Sequence, residues 1–355
     1  MNENIDLTTS SGRGLEAALI RALPGLLPCL KVSSARRRPA EHPAGFVVEA
    51  RTPTDRRLRL YVEVRRALSP AQVRERARQL KARVGGQSSC AVLASRFLSP
   101  RVREICREEQ VGYVDLAGNC YLRLGDLYVE RAVEKNPFPA QGRPASLFSP
   151  VSSRLLRALL SAPARAWQVQ ALARESGASL GQASSVCRRL IDEAYALRRD
   201  RRLRLAQPGR LLEAWRDAYA PRHRALAYYS FEPELDGRLA AVGRAGRSAG
   251  LRYAVTSLAA AHLVAPFVRG VTGLELYLGD ELDVDAWVKA LDLRPVESGA
   301  NLILLLPDDP GVLYGRRTVQ DVELVGDVQL YLDLWQDPGR GREQAEFLRK
   351  QQLGY

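Results

Sequence analysis

Gln182, Ser185, Arg188 and Arg189 recur at intervals of three and four residues within the segment SLGQASSVCRRLIDEA. On a helix this spacing brings their side chains to one face, because one turn contains 3.6 residues. Glutamine can hydrogen-bond the edge of adenine, and arginine can bond guanine or grip a phosphate. The face therefore suits the major groove of a DNA duplex, which is wide enough to admit a helix.

A second cluster of cations follows directly, in the segment ALRRDRRLRLAQP. This pattern predicts a β-hairpin with Asp200 at its tip, and a cationic tip beside such a helix suits a phosphate or minor-groove contact. The alternative is a small helical connector whose arginines are simply solvated. The residues that we predict to contact DNA are Ser179, Gln182, Ser185, Arg188, Arg189, Arg198, Arg199, Arg201 and Arg202.

Three predicted helices position these residues. VSSRLLRALLSAP predicts the first helix, whose leucines form one stripe and which Pro163 ends. WQVQALARESG predicts the second, which ends at Gly177 in the left-handed conformation. Ser179 caps the third, and its apolar stripe consists of Ala183, Val186, Cys187 and Leu190. Three helices followed by a hairpin predict a winged helix-turn-helix.

The chain of 355 residues has room for two or three domains. Breaks in composition predict domains at residues 1–147, 148–222 and 223–355, with a proline-rich linker at 136–150. Their net charges are +10, +8 and −5, so the first two segments suit a polyanion, and the acidic third suits a protein partner, a dimer contact or a ligand.

Localisation is predicted from what the sequence lacks. It has no apolar run long enough to span a membrane, and MNENIDLTTSSGRG has no signal-peptide pattern, so we expect a cytoplasmic protein without membrane partners. The cysteines form no CxxC pair and have mostly apolar neighbours. We therefore expect buried free thiols, no metal site and no cofactor. The cysteines are Cys29, Cys90, Cys106, Cys120 and Cys187.

The N-terminal segment alternates predicted helices and strands, which indicates an α/β layer structure. The order resembles the restriction-endonuclease-like PD-(D/E)xK fold, through Glu63-Val64-Arg65 with Glu49 or Asp55 as the partner acid. In that family two carboxylates hold Mg²⁺ and a lysine assists the attacking water. Arg65 stands at the lysine position, and a guanidinium does not accept a proton, so the resemblance implies an inactive domain more than a nuclease. Alternatively, Glu63 and Arg65 are outward residues of an amphipathic strand.

The turn Asp115-Leu116-Ala117-Gly118-Asn119 lies between two predicted strands. A functional carboxylate is one interpretation. Turn chemistry, in which Asp and Asn bond their own backbone, is the preferred one.

The C-terminal segment is again predicted to be α/β and offers three candidate groups. Asp283 and Asp285 have the spacing of a nucleotidyltransferase metal site, but no Gly-Ser element precedes them, so capping of a helix is preferred. His262 is predicted to be a packed core residue. The loop PGRGR at 338–342 either holds an anion on free amides or fixes the last helix.

The region from about residue 150 to the end resembles the AbiEi-type antitoxins and transcriptional regulators of type IV toxin–antitoxin systems. Its most specific parts are Gln329-Leu330-Tyr331-Leu332-Asp333-Leu334 and Arg340-Gly341-Arg342-Glu343-Gln344-Ala345. The resemblance implies a prokaryotic protein that binds repeats in its own promoter and acts against a nucleotidyltransferase toxin. Many such antitoxins begin with the winged helix, whereas here about 145 residues precede it.

These observations together predict a sequence-specific DNA-binding transcriptional regulator, related to AbiEi-type antitoxins and acting as a homodimer on double-stranded DNA. The alternative function is a Mg²⁺-dependent nuclease that the winged helix delivers to DNA. The third possibility is an interaction protein, in which the acidic C-terminal segment neutralises a nucleotidyltransferase toxin.

Overall fold

A computed structural model describes residues 12–38, 45–66, 68–86, 88–125, 127–133, 137–138 and 147–355. The fold is mixed α/β, as predicted. The chain forms two compact units, residues 1–144 with 192–194, and residues 145–191 with 195–355. Most of the predicted linker at 136–150 lies outside the described residues.

The first unit contains one seven-stranded sheet whose strands follow sequence order. Its two central pairings, β3 with β4 and β4 with β5, are parallel, and the others are antiparallel. Parallel neighbours need a crossover, which α2 and α3 provide. The elements are α1 (Gly12–Leu26), β1 (Lys31–Arg37), β2 (Phe46–Arg51), β3 (Arg57–Val64), α2 (Pro70–Ala82), β4 (Ser89–Ser95), α3 (Pro100–Glu108), β5 (Gly112–Asp115), β6 (Cys120–Leu124) and β7 (Leu127–Arg131).

Each face of this sheet is covered by its own hydrophobic cluster. Leu19 and Leu23 of α1 pack with Val62 on one face. Leu80 of α2 and Ile105 of α3 pack with Leu93 on the other. The alternation of side chains along a strand explains why one sheet supplies both clusters. The result is the predicted α/β layering, while the assignment to the restriction-endonuclease-like fold stays a prediction.

The second unit begins with helices and a hairpin in the order predicted for residues 150–219. Prolines open α4 and α7 at their first positions, where the missing amide hydrogen costs nothing. The elements are α4 (Pro150–Ser161), α5 (Val169–Ser176), α6 (Leu180–Asp192), β8 (Ala196–Arg199), β9 (Arg202–Leu205) and α7 (Pro208–Ala218).

A second seven-stranded sheet, of mixed direction and strand order β13-β10-β14-β12-β11-β16-β15, forms the rest of this unit. Its strands are β10 (His223–Tyr229), β11 (Tyr253–Thr256), β12 (Leu274–Leu278), β13 (Arg294–Pro295), β14 (Leu302–Pro307), β15 (Arg317–Val319) and β16 (Val322–Leu324). Its helices are α8 (Leu235–Ala249), α9 (Ser257–Val264), α10 (Val284–Ala290), α11 (Asp327–Gln336) and α12 (Gly341–Leu348), with short 3₁₀ turns at Glu281–Asp283 and Pro310–Leu313 and a π turn at Arg349–Leu353.

One hydrophobic core runs through the whole second unit. Leu156 of α4, Leu190 of α6 and Trp215 of α7 belong to the same buried cluster as Leu304 of β14 and Leu332 of α11. The predicted boundary at 222/223 falls between α7 and β10, but residues on its two sides share this core. The three-domain division therefore stays a prediction, because residues 145–191 and 195–355 form one compact unit.

The structure bears on the expectations for membrane spans and for cysteines. No helix in the described part of the chain has the length and apolar character to cross a membrane. Cys90, Cys106, Cys120 and Cys187 are buried free thiols, whereas Cys29 is only half-buried. Burial raises the pKa of the Cys106 thiol to about 12, because an apolar environment disfavours the thiolate.

Candidate nucleic-acid interface

The turn between α5 and α6 has the geometry that its sequence predicts. Gly177 ends α5 in the left-handed region at φ 63°, and its amide bonds the carbonyl of Arg174. Ser179 Oγ then accepts the Gln182 amide at 3.3 Å, and Gln182 Oε1 accepts the Ser179 amide at 3.0 Å. This reciprocal pair is a capping box, which fixes the start of α6. The NH₂ group of the Gln182 side chain takes no part in this pair.

The two faces of α6 differ as predicted. Ala183, Val186, Cys187 and Leu190 are buried in the core of the second unit. On the other side, Gln182, Ser185 and Arg188 are exposed, and Arg189 is half-buried. We call these four residues the α6 face. Burial of the apolar stripe holds the helix rigidly, so the α6 face is presented by a fixed backbone.

The hairpin of β8 and β9, residues 196–205, closes in a two-residue turn at Asp200 and Arg201. Both have left-handed backbones, at φ 50° and 60°, which is the pattern of a type I′ turn. Such a turn favours Asn or Gly, and a long side chain there costs backbone energy. Arg201 therefore occupies a backbone conformation that is unfavourable for an arginine.

This arginine hairpin is also unfavourable in its charge. Arg199 lies directly opposite Arg202 across the strands, and like charges at paired positions repel each other. Arg198, Arg201 and Arg204 are exposed beside them. Among residues 147–355 none of these five arginines forms an ion pair with a carboxylate. The hairpin therefore presents uncompensated positive charge.

The base of the hairpin is fixed to the body of the unit. Trp167 exchanges two backbone hydrogen bonds of 2.8 Å with Leu203, which adds a third short strand to the pair. The Trp167 side chain is buried, and the guanidinium of Arg165 stacks 3.7 Å from its ring centre. Because the same body holds α6, the positions of the hairpin and the α6 face are set by one packed core.

The acid proposed at the centre of a nuclease site is buried and paired. Glu63 on β3 has a side-chain exposure of 3 %, and its Oε1 lies 2.9 Å from both Arg65 Nη2 and Arg76 Nη1. Arg65, at the position of the family's lysine, is thus an ion-pair partner of Glu63. Two guanidinium groups occupy the space beside the carboxylate that a metal ion would need.

The two candidate partner acids lie elsewhere on the sheet. Glu49 on β2 pairs with Arg59 in register and through a 3.5 Å ion pair, four residues from Glu63 along β3. This separation is about 13 Å at the rise of a strand, too far to share Mg²⁺ with Glu63. Asp55 lies in the turn between β2 and β3 and accepts a hydrogen bond from Arg51. This contact lowers the pKa of the Asp55 carboxyl. In the described part of the chain no three His, Cys, Asp or Glu residues form a group able to hold a metal.

The Asp115–Asn119 segment has the geometry of the preferred turn. Asp115 accepts bonds from the Asn119 amide at 2.9 Å and from the Leu98 amide at 2.8 Å. Gly118 occupies the turn at φ 105°. Asp115 and Asn119 are fully buried, and both side chains are used to hold the loop.

Two of the C-terminal interpretations were wrong. His262 is not a core residue, because its side chain is 38 % exposed and lies 3.1 Å from Asp236 at the surface. Asp283 makes no side-chain cap on α10. A 3₁₀ turn precedes that helix. Asp280 caps this turn by accepting the Leu282 amide at 2.9 Å. An extra turn before a helix moves the capping position upstream, which local sequence does not reveal.

In the loop at 338–342, the amides that could have bound an external anion instead bond the carboxylate of Asp337. Asp337 Oδ1 accepts the amides of Gly339 at 2.8 Å and Gly341 at 3.1 Å. A Cβ on Gly341 would lie 2.2 Å from the Leu334 carbonyl oxygen, so only glycine fits this close approach. The geometry favours the interpretation in which the loop fixes α12 onto α11.

A buried polar network in the second unit was not predicted from the sequence. Asp333 accepts hydrogen bonds from Thr256 at 2.6 Å, Gln329 at 2.7 Å, Tyr219 at 3.0 Å and Tyr277 at 3.2 Å. Its burial raises the pKa of the carboxyl to about 6, although the donors act in the opposite direction. The available signal was Gln329 and Asp333 spaced by four in the apolar segment QLYLDLW.

The network joins α11 to the first helices of the unit. Gln329 donates to Tyr219 at 2.8 Å, and its Oε1 accepts from Arg157 Nε at 2.9 Å. Arg157 lies on α4 and Tyr219 directly follows α7. The segment 329–334 therefore contributes to the attachment of α4 and of the end of α7, which belong to the same core as α6.

Comparison with known families finds a match for the C-terminal part of the chain. Residues 204–354 match a family model described as transcriptional regulator, AbiEi antitoxin, type IV toxin–antitoxin system. Neither a curated protein nor a solved structure matched the chain. The resemblance predicted from about residue 150 is confirmed from residue 204, and both of its specific segments lie in the matched region. The family is not a known enzyme family. Residues 204–354 of this chain are therefore similar to the AbiEi family of antitoxins and transcriptional regulators.

Proposed function

We propose that this protein is a sequence-specific DNA-binding regulator that represses its own promoter as the antitoxin of a type IV toxin–antitoxin pair. Residues 150–205 act as a winged helix-turn-helix. The α6 face enters the major groove, and the arginine hairpin is the wing, which contacts phosphates or the minor groove. The protein works as a homodimer in the prokaryotic cytoplasm, where two copies bind two half-sites of a repeat.

The observation that carries the proposal is the uncompensated charge of the hairpin. Arg199 and Arg202 repel each other across the strands, and Arg201 occupies a left-handed position. Neither feature benefits the isolated fold. Both are explained if a polyanion approaches this tip, because phosphates then neutralise the charge. The α6 face, which is held in the same packed unit, supplies the groups that read bases.

The family match supports the regulatory role and a toxin partner. We propose that this partner is a nucleotidyltransferase encoded beside the gene. Coexpression of the two proteins should restore growth that the neighbouring enzyme inhibits. Failure of this rescue would leave a DNA-binding regulator without an antitoxin role.

The test of DNA binding compares the fragment upstream of the gene with random duplex of equal length, at two salt concentrations. We expect a preference for the upstream fragment that persists at physiological salt, and a steep fall in affinity for both fragments as salt rises. Arg199→Gln with Arg202→Gln should weaken binding to both fragments. Arg244→Gln, at an exposed position on α8 far along the chain, is the matched control.

Equal binding to both fragments that disappears at physiological salt would contradict sequence-specific regulation. Magnesium-dependent cleavage of either fragment that Glu63→Ala abolishes would instead support the nuclease. The ion pairs at Glu63 and the separation of Glu49 from it argue against that outcome.

A further inference from the structure

A cleft of about 450 Å³ lies between the α4–α7 helices and the segment that follows β14. Phe148, Arg157 and Tyr219 line one side, and Asp308 and Val312 line the other. This volume is within the range of pockets that bind small organic molecules. None of the proposed DNA contacts lines the cleft, so it is a separate feature of the second unit.

Arg157 brings a buried positive charge to the cleft. Its exposure is 3 %, and it donates from Nε to Gln329 at 2.9 Å and from Nη1 to Ser153 at 2.9 Å. Nη2 also donates to Gln329. These acceptors are neutral, and no carboxylate oxygen within residues 147–355 lies within 4.0 Å of this guanidinium. Because a guanidinium has five N–H groups, two remain without an acceptor.

The other charges of the cleft compensate one another. Asp309 is held by Arg154, whose Nε lies 3.0 Å from both carboxylate oxygens. Asp308 and Arg222, both exposed, have opposite charges at the mouth. Arg157 is the buried cation of the lining; it has no carboxylate oxygen within 4.0 Å among residues 147–355, and the carboxylates of Asp333 and Asp309 act on it only from a longer distance. A ligand with one negative charge is therefore easier to accommodate beside it than a phosphate dianion.

The walls beside Arg157 are apolar and partly aromatic. Phe148 and Tyr219 are half-buried, and Val312 closes the opposite side. Phe148 stacks on Trp215 with ring centres 6.5 Å apart, and the Arg157 guanidinium lies 5.1 Å from the Trp215 ring. The Phe148 ring is therefore held in place by a buried neighbour, which makes a flat wall for another ring.

We propose that this cleft is a binding site for a small aromatic monocarboxylate. The carboxylate accepts the two remaining N–H groups of Arg157, and the ring lies against Phe148 and Tyr219. A charge-assisted hydrogen bond to a buried guanidinium provides the specificity for an anion. The site does not depend on the proposed function, because binding of the carboxylate is measured without DNA.

The experiment titrates the full-length protein with benzoate and phenylacetate by calorimetry, with benzamide as the neutral analogue and inorganic phosphate as a competitor. We expect saturable binding of a carboxylate, at least about 10-fold tighter than binding of benzamide. Ala218→Phe, at the exposed rim of the cleft, should weaken it by at least about 10-fold through obstruction. Ala249→Phe, exposed at the end of α8, is the matched control.

Arg157→Gln should also abolish the preference for carboxylate over benzamide, and Ala218→Phe provides the second test if the buried substitution impairs folding. The proposal is overturned if neither carboxylate saturates, if benzamide binds equally well, or if Ala218→Phe binds like the unaltered protein. Displacement of benzoate by an equal concentration of phosphate would also overturn it, in favour of a phosphate site. Loss of DNA binding would affect only the proposed function.

Discussion

Many arginines of the N-terminal unit differ from those of the hairpin at 196–205 in their electrostatic surroundings. Nine described arginines of the N-terminal unit lie within 4.0 Å of a carboxylate: Arg37, Arg51, Arg59, Arg65, Arg74, Arg76, Arg78, Arg101 and Arg107. The five arginines of the hairpin have no such partner within residues 147–355. The number of arginines in a segment therefore does not show how many of them are free to bind a polyanion, and the hairpin stands out because its arginines cluster without carboxylate partners.

Arg157 is a third case, in which a cation is buried with neutral partners only. Burial lowers the pKa of this guanidinium, because desolvation disfavours its charge. Asp333 is connected to it through Gln329. Arginine thus forms ion pairs in the first unit, is exposed to solvent in the hairpin, and places a buried positive charge beside the cleft.

The largest expected effect on DNA binding comes from the unpaired hairpin arginines. Arg199→Gln with Arg202→Gln should lower affinity for any duplex roughly 10–100-fold and reduce the salt slope by about 2, because two phosphate contacts are lost. Stability should be unchanged or slightly higher, since a like-charge pair is removed. The measurement is fluorescence anisotropy at several salt concentrations.

The matched control for this effect is Arg74→Gln with Arg78→Gln, which removes two paired arginines from α2. We expect little change in the salt slope. An equal loss of affinity in this variant would break the comparison, because paired arginines would then bind DNA as well as unpaired ones.

The buried network around Asp333 should make the free energy of unfolding depend on pH. The pKa of Asp333 is about 6 in the folded protein and 3.8 without burial, so folding favours the protonated carboxyl. This stabilisation is fully present below pH 3.8 and lost as pH rises through about 6, which amounts to about 3 kcal/mol in the free energy of unfolding. Asp333→Asn should flatten this dependence in urea unfolding between pH 4 and 7.

The difference between variant and unaltered protein isolates Asp333. His223 acts in the opposite sense, because burial lowers its pKa and its contribution to stability increases with pH. Asp285→Asn, at an exposed position, is the control. A pH dependence that Asp333→Asn leaves unchanged would show that this carboxyl does not titrate in the range.

Base recognition by the α6 face is tested with Arg188→Ala. If Arg188 contacts a base, affinity for the cognate site should fall by about 1–3 kcal/mol, with a smaller loss on random DNA. Competition binding with both duplexes measures the difference. Equal losses on both duplexes would reduce Arg188 to a phosphate contact, like the hairpin arginines.

The smallest effect is expected at Glu63, the carboxylate that pairs with two arginines of the N-terminal unit. Glu63→Gln leaves Arg65 and Arg76 without their carboxylate and should lower the free energy of unfolding by about 1 kcal/mol. DNA affinity should not change. Urea unfolding and the anisotropy assay check the two statements, and a loss of affinity without a loss of stability would assign Glu63 a role in DNA binding.

Local sequence predicted well those elements whose evidence lies within a few residues. The apolar stripe of α6, the left-handed Gly177 and the capping pair Ser179 and Gln182 depend on contacts within one or two turns. His262 and Asp283 were misplaced because their surroundings come from other elements. His262 meets Asp236 on α8, and a 3₁₀ turn lies directly before α10.

The sequence by itself determined which faces of the helices are apolar and where the hairpin turns, because helical periodicity and turn chemistry are local properties. Only the tertiary structure decided which arginines keep their charge free. Arg76 meets Glu63 and Arg107 meets Glu130 across different elements, while Arg157 meets Gln329 from 172 positions away in the chain. Ion pairing and burial depend on which distant residues the fold brings together, so the site emerges from packing and not from composition.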